Sequence, residues 1–173
     1  MQIIAARQLF LLRHAKSSHD DPDLADDERP LAPRGRRAAA AMARHMRGQE
    51  LAPALVLCSS AVRARQTVDA VAPGLAPAPD VRIESELYEA SARGLLERVR
   101  RIDDDVPSAM VVGHNPAIER LALDLAANGP ALAELARKFP TGALAVLGFD
   151  GSWADLDADG ARLAAFVKPR DLE

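Results

Sequence analysis

Basic side chains that could carry chemistry occur at three separate places in the sequence. They are Arg13 with His14, Arg63 at the end of the stretch Ser59–Arg63, and His114 directly after Gly113. Arginine binds phosphate oxygens through paired hydrogen bonds, and a neutral imidazole is a competent nucleophile towards phosphorus. Together these residue types predict phosphoryl transfer through a phosphorylated histidine, a reaction that needs no metal ion and no cofactor.

Each candidate follows an apolar run that fits a buried β-strand. The runs are Leu9–Leu12, Ala54–Cys58 and Ala109–Val112, and uninterrupted apolar runs are typical of strands covered on both faces. Parallel strands place their carboxyl ends at one edge of a sheet, where ligands bind. Helices that start there offer free amide groups to oxyanions. Ser59 or Ser60 is expected to cap the helix that follows Ala54–Cys58. We therefore expect the histidines and arginines to converge at this edge.

The order of the predicted elements indicates an α/β fold. Helices alternate with strands from residue 9 to about residue 128. The spacing of apolar residues predicts a helix over Arg34–Gly48, and Ser91 is expected to cap a helix that runs to Asp103. Asn115 followed by Pro116 predicts a helix start with asparagine as the cap. Because alternating elements require crossover connections, we expect a mostly parallel sheet.

The remaining strand signals complete the expected architecture. Val81–Ile83 is short and alternating, which predicts an edge strand. Ala143–Leu147 and Ala161–Val167 are two further strands, and the few residues between them favour an antiparallel hairpin or meander. The expected fold is a three-layer α/β/α arrangement with a mostly parallel central sheet and an antiparallel C-terminal strand.

Length and composition narrow the possible settings. The chain has 173 residues, a length suited to a single domain over residues 1–173. Its formal net charge of −3 gives no global attraction to nucleic acid or to an anionic membrane. The single cysteine excludes an internal disulfide framework, and neither a membrane-spanning run nor a signal-peptide pattern is present. These observations predict a cytoplasmic protein without nucleic-acid or membrane partners.

Three motifs resemble those of a known family. Leu11–Ala15 resembles the signature of the histidine phosphatase superfamily, which includes phosphoglycerate mutases and acid phosphatases; Ser59–Thr67 resembles its second motif and Val111–Pro116 its third. The stretches Arg29–Leu31 and Leu87–Ala90, with the small size of the chain, look most like the SixA branch. The resemblance implies a phosphoglycerate mutase-like fold, and that branch removes phosphate from histidine on phosphorelay proteins.

The resemblance also implies a role for each residue at the strand ends. His14 would attack phosphorus and hold the phosphoryl group as a covalent phosphohistidine. Arg13, Arg63 and His114 would surround the phosphoryl oxygens and stabilise the charge of the transition state. Neighbouring cations would lower the pKa of His14 and keep it unprotonated, whereas His114 would act best when protonated beside the phosphate dianion.

Three other residues are candidates with less defined roles. In mutase-like relatives a glutamate protonates an alcohol leaving group; Glu89 stands near the expected place, and Glu86 is an alternative. Such an acid is less necessary for a phosphohistidine substrate, because solvent readily protonates the leaving nitrogen. Ser17 is a candidate donor to a phosphate oxygen, and Arg29 is a candidate for the substrate rim.

The sequence leaves the substrate open between three classes. The first choice is a phosphohistidine on a protein, such as a histidine phosphotransfer domain. The runner-up is a small phosphate ester, such as a sugar phosphate or a nucleotide. The third possibility is that the protein is a weakly active relative of such enzymes that binds phosphorylated partners.

Other polar signals are expected to be structural. Cys58 and Arg63 are separated by one residue fewer than in a cysteine phosphatase loop, so Cys58 is expected to pack in the core. Asp155–Gly160 begins like a calcium loop but has Phe166 where a glutamate is required, which indicates a hairpin turn. The acidic stretch Asp20–Glu28 is expected to be a solvated loop, or alternatively to steer partner choice.

Overall fold

The computed structural model describes residues 6–173, which form a seven-stranded sheet with five α-helices. The strands are β1 (Arg7–Arg13), β2 (Leu55–Ser59), β3 (Asp80–Glu84), β4 (Ser108–Gly113), β5 (Ala126–Asn128), β6 (Leu144–Phe149) and β7 (Ala161–Val167). The helices are α1 (Pro33–Gly48), α2 (Val62–Val71), α3 (Ala92–Arg100), α4 (Ala117–Leu125) and α5 (Leu132–Arg137). Within residues 6–173, no helix combines the length and the apolar character needed to cross a membrane.

The strand order across the sheet is β3-β2-β4-β1-β6-β7-β5. Strands β3, β2, β4 and β1 pair in parallel, and β6 runs antiparallel to both β1 and β7. Strand β7 therefore runs in the same direction as β1, and its carboxyl end lies at the same edge of the sheet. The predicted mostly parallel sheet, the edge position of β3 and the antiparallel β6–β7 hairpin are confirmed. The short strand β5, which pairs with β7, has no clear signal in the sequence.

Strand β1 is buried on both faces, which makes the sheet the middle of three layers. Leu9 and Leu11 pack against the apolar side chains of α3, α4 and α5, while Phe10 and Leu12 pack against those of α1 and α2. Side chains alternate between the two faces of a strand, so a strand covered on both sides needs an uninterrupted apolar run. Polar chemistry is then confined to the residues at the end of β1.

The predicted cap of α2 is wrong, because its N-cap residue is Ala61. Neither Ser59 nor Ser60 makes a side-chain capping bond to this helix. The Ser59 hydroxyl instead accepts from the Ala61 backbone amide at 3.2 Å and lies 2.8 Å from His114 Nε2. The Ser59 hydroxyl thus contacts both the turn before α2 and His114. The local sequence does not reveal the contact with His114.

The starts of α3 and α4 show one confirmed cap and one shifted cap. Ser91 Oγ accepts from the Gly94 amide at 3.0 Å, as expected of a serine cap. Helix α4 begins one residue later than predicted, with Pro116 as its N-cap. Asn115 nevertheless accepts from the Glu119 amide at 3.3 Å, so its side chain still satisfies a free donor of the first turn.

The loop after β1 folds back against the start of α1. An isolated antiparallel bridge joins Ser17 to Leu31. A Cβ atom on Gly35 would lie 2.0 Å from the Lys16 carbonyl oxygen, so only glycine lets the helix approach this closely. The loop between these points is thereby held against the carboxyl edge of the sheet.

Candidate active site

His14 lies immediately beyond β1 and is buried. Its Nδ1 atom is 2.7 Å from the Ala15 carbonyl oxygen. A carbonyl oxygen only accepts, so Nδ1 carries the proton and Nε2 keeps its lone pair. Burial, with smaller contributions from His114, Arg63 and Arg13, lowers the pKa of His14 to about 3, although the bond to Ala15 opposes the shift. His14 is therefore neutral at neutral pH, with the unprotonated Nε2 as its nucleophilic nitrogen.

Arg63, in the first turn of α2, brings the two histidines together. Its Nε atom donates to His14 Nε2 at 3.3 Å, and its Nη2 atom lies 3.5 Å from His114 Nδ1. Residues from three separate strand ends thus meet at one point, as their positions after parallel strands predict. The neighbouring Arg65 is exposed and donates to the Ser60 carbonyl oxygen at 3.1 Å, away from this cluster.

His114, beyond β4, faces the His14 ring with a centroid separation of 5.1 Å. Its Nε2 atom is bonded to Ser59, which leaves Nδ1 on the side of Arg63. Burial, then the charge of Arg63, lowers the pKa of His114 to about 4, against a smaller opposing effect of Asp26. The ring is neutral at neutral pH, so its predicted role as a protonated clamp requires an anion that raises this pKa.

Arg13 is half-buried at the end of β1. Its Nη1 atom donates to the Phe139 carbonyl oxygen at 2.9 Å. Burial lowers the pKa of the guanidinium, while the charge of Glu119 opposes the shift. Its charge in turn lowers the pKa of both His14 and His114. Arg13 is therefore anchored beside the two imidazoles, at the place where the sequence predicts it.

Asp26 is a site residue that the sequence interpretation missed. Its carboxylate is 3.0 Å from Arg63 Nη2, is bonded to the Tyr88 hydroxyl and pairs with Arg29, and its carbonyl oxygen accepts from Arg63 Nη1 at 2.6 Å. The Tyr88 bond, followed by Arg63 and Arg29, holds the pKa of this carboxyl well below its usual range. The acidic stretch is exposed, as the solvated-loop interpretation expects, but at Asp26 the loop folds back onto α2 and forms contacts that this interpretation did not include.

Tyr88 is the second missed residue. Besides its bond to Asp26, its ring lies 5.5 Å from the His114 ring and 5.9 Å from the Arg63 guanidinium carbon. It belongs to the stretch Leu87–Ala90, so a resemblance signal was present but did not mark this side chain. The ring forms one wall of the site.

Ser17 and Arg29 lie one contact away from the reactive cluster. Arg29 Nη1 donates to the Ser17 hydroxyl at 2.8 Å, and Arg29 Nη2 pairs with Asp26 at 3.1 Å. Among residues 6–173, neither side chain bonds to His14 or Arg63. The structure thus links both to the site through Asp26, and their predicted contact with substrate stays a prediction.

The two candidate acids occupy different surroundings. Glu89 lines an open cavity of about 460 Å³ together with Tyr88, His114 and Arg120. Glu86 instead faces Arg101, 3.6 Å away, on the outside of the molecule. Of the two, Glu89 has access to the space beside His114.

Cys58 is buried at the end of β2. Burial, together with the charge of Asp69, raises the pKa of its thiol to about 12. A thiol with such a pKa is protonated and unreactive at neutral pH. This agrees with the predicted packing role.

Comparison with known proteins finds relatives that match most of the chain. An uncharacterized protein of Mycobacterium tuberculosis H37Rv is 42% identical over 164 residues, which covers 92% of this chain and 100% of the relative. The phosphohistidine phosphatase SixA of Escherichia coli K12 is 28% identical over 147 residues, covering 84% of this chain and 87% of the relative.

Solved structures of SixA-type proteins share the fold. The structure assigned as SixA from Nakamurella multipartitia superposes with a TM-score of 0.83 at 36% identity, covering 94% of this chain and 96% of that one. A histidine phosphatase SixA complexed with tungstate gives 0.78 at 24% identity, covering 96% and 99%, and shows the likeness in fold.

The model of the histidine phosphatase superfamily, branch 1, matches residues 9–119, from the strand that leads to His14 to the first turn of α4. All three strand ends that supply the clustered side chains lie inside this match. The chain therefore belongs to branch 1 of the histidine phosphatase superfamily and is a phosphatase of the SixA-like type.

Proposed function

We propose that this phosphatase acts through a covalent phosphohistidine at His14 and removes phosphate from phosphohistidine on a phosphorelay protein. One observation carries the proposal: His14 Nδ1 donates to Ala15 while Nε2 faces the Arg63 guanidinium at 3.3 Å. This pairing fixes the tautomer and points the lone pair at a cationic group. The E. coli relative, a phosphohistidine phosphatase, supports the choice of substrate.

The first step transfers the phosphoryl group to His14. Nε2 forms a bond to phosphorus while the P–N bond to the substrate imidazole breaks, and the leaving nitrogen takes a proton from water. Before the bond to phosphorus forms, Arg63 turns its Nε–H from His14 Nε2 to a phosphoryl oxygen, which frees the lone pair for attack. Arg13 and His114, which takes up a proton beside the dianion, compensate the remaining charge, so electrostatic stabilisation replaces acid catalysis as the main contribution.

The second step returns the enzyme to its starting state. Water attacks phosphorus, the P–Nε2 bond breaks, and the proton of the attacking water leaves with inorganic phosphate or to solvent. His14 departs as a neutral, weakly basic imidazole, because burial and neighbouring cations keep its pKa low. Weakly basic groups are good leaving groups, so the environment that keeps His14 unprotonated also favours release of phosphate.

A phosphate ester is the second candidate substrate, and the position of Glu89 is the observation that favours it. An alkoxide leaving group needs a proton, and Glu89 lines the cavity that also contacts His114. We infer that Glu89 serves as acid only for such esters. The same cavity contacts Arg120, which could bind an anionic part of the leaving group.

The test compares wild type with His14→Ala on two substrates: a histidine phosphotransfer domain phosphorylated by phosphoramidate, and an aryl phosphate. We expect a loss of at least about 1,000-fold in kcat on both, since no other group can replace the nucleophile. His45→Ala, the same substitution on α1, is the matched control and should retain full activity. Equal rates for His14→Ala and wild type would remove His14 from its role.

The substrate class is decided by kcat/KM. Values for the phosphorylated domain that exceed those for sugar phosphates and nucleotides support the phosphohistidine substrate. Values in the reverse order favour the ester. Binding of the phosphorylated domain without turnover of any substrate indicates a phospho-partner binding protein.

A further inference from the structure

A second concentration of positive charge lies beside the active site. A cleft of about 560 Å³ lies between three parts of the chain. It is lined by α1, by Pro140 and Thr141 in the loop before β6, and by the residues that follow β7. We call it the basic cleft and define it by its cations: Lys16, Arg34, Arg37, Arg44, Lys168 and Arg170. Glu173 is the one acidic residue among the residues that line it.

Most of these cations lack a counter-ion in the part of the chain that the structure describes. Among residues 6–173, Lys168 pairs with Glu134, and the other five form no ion pair. The whole chain carries a net charge of −3, so acidic residues are not scarce, but of those the structure describes Glu173 alone lines the cleft. Five unpaired cations around one cleft produce a local positive potential on an otherwise acidic protein.

Helix periodicity and sheet topology together build the cleft. Positions 34, 37 and 44 of α1 share one face, and the small residues Ala38 and Ala41 between them leave a groove. The opposite side comes from Lys168 and Arg170, which follow the carboxyl end of β7. Because β7 runs parallel to β1, this end lies at the same edge of the sheet as His14.

Backbone contacts connect one end of the basic cleft to the chain at His14. Lys16, which lines the cleft, is two residues beyond His14, and Gly142 donates its amide to the carbonyl oxygens of Arg13 and His14 at 3.0 Å. The adjoining Phe139 carbonyl anchors the Arg13 guanidinium. From this junction the arginines of α1 extend for about 15 Å along the helix, at about 1.5 Å per residue.

We propose that the basic cleft docks an acidic surface of the protein that carries the phosphoryl group. This inference rests on the proposed function. A phosphoryl group held at His14 is two residues from Lys16, the cleft residue nearest to it in sequence, and a small phosphate ester bound at His14 would not reach Arg44. A protein surface would, since about five extended residues cover 15 Å. Exposed, unpaired arginines increase the rate of association and favour acidic partners, but they do not accelerate the chemical step.

The test uses two synthetic peptides phosphorylated on histidine. In one peptide about five glutamates follow the phosphohistidine, matching the length of the cleft; in the other, glutamines replace them. For wild type we expect KM to be about tenfold lower for the acidic peptide, since several surface ion pairs of modest strength add together. The kcat of the two peptides should be equal, and the advantage should shrink as the salt concentration rises.

Two double variants of α1 make a matched comparison. Arg37→Gln with Arg44→Gln removes two cations from the cleft, whereas Arg36→Gln with Arg47→Gln removes two from the same helix outside it. The first pair should remove most of the tenfold preference for the acidic peptide and leave kcat unchanged. The second pair should retain it. Equal effects of the two pairs, or no preference in wild type, would overturn the proposal.

A binding measurement separates this proposal from the proposed function. Fluorescence anisotropy with the unphosphorylated acidic peptide reports docking without chemistry. Binding that is lost only in the Arg37→Gln, Arg44→Gln variant supports the cleft even if neither phosphopeptide is hydrolysed, and the failure then belongs to the proposed substrate. Binding of inositol hexakisphosphate by wild type without any binding of the acidic peptide would assign the cleft to a small polyanion and overturn the proposal.

Discussion

Two cationic regions of this molecule share an edge of the sheet and differ in almost every physical respect. In the active site Arg63 is buried, and its donors are used by His14 and Asp26. In the basic cleft Arg34, Arg37 and Arg44 are exposed and make no ion pair among the described residues. The first region lowers the pKa of two histidines, whereas the arginines of the second face solvent.

The difference shows how burial and partners determine what an arginine can do. A guanidinium fixed by several bonds has little freedom to lose, so it can hold a transition state in a defined geometry. An exposed, mobile guanidinium gains less from each contact because water and salt screen its charge. We therefore expect substitutions in the first region to change kcat for every substrate, and those in the second to change KM for phosphoproteins alone.

Among the cationic residues of the two regions, the largest effect is expected at Arg63. Lysine keeps the charge but cannot contact His14 and Asp26 together. Arg63→Lys should lower kcat by about 100-fold or more on both aryl phosphate and a phosphorylated domain, measured by steady-state kinetics. Arg65→Lys, two residues further along α2, is the matched control. A change confined to KM would place Arg63 in the same functional class as the cleft arginines and remove the contrast.

A smaller effect that depends on the substrate is expected at Glu89. Glu89→Gln should slow hydrolysis of an alkyl phosphate by about tenfold, because the alkoxide loses its proton donor. Hydrolysis of phosphohistidine should stay within a factor of about two, since solvent protonates the leaving nitrogen. Glu86→Gln is the control, because Glu86 faces Arg101 outside the site. Equal slowing of both substrates by Glu89→Gln would contradict the argument from the leaving group.

The smallest effect concerns pH. The pKa of His114 is about 4 without an anion, and a dianion beside it raises that pKa. Between the two values binding takes up a proton, so the affinity for tungstate should fall as pH rises, by at most about tenfold per unit. Calorimetry in buffers of different ionisation enthalpy measures the uptake, and His114→Asn should abolish it. Binding without proton uptake in wild type would mean that His114 stays neutral.

The active-site cluster was predictable because its members depend on one topological rule. His14, Arg63 and His114 each follow a strand of a parallel set, so their meeting requires no knowledge of loop paths. Asp26 was not predictable, since its bond to Arg63 depends on a loop that returns through the Ser17–Leu31 bridge. Nothing in the local sequence distinguishes Asp26 from its acidic neighbours.

The sequence indicates one wall of the basic cleft but not the other. The arginines of α1 recur at helical spacing, which predicts that they share a face. The opposite wall depends on β7 running parallel to β1, which places Lys168 and Arg170 across from the helix. The predicted serine cap of α2 is wrong because of another long-range contact. Ser59 contacts His114, a partner 55 residues away, instead of the adjacent helix.

The most direct test of the central claim is to trap the intermediate. Wild-type enzyme mixed with an isotopically labelled phosphorylated domain is quenched in alkali within the first turnover, and the peptides are analysed by mass spectrometry. The account predicts an acid-labile, alkali-stable phosphoryl group on the peptide that contains His14, and none in His14→Ala. Turnover with the label on another residue, or with no phosphorylated enzyme at any time, would contradict it.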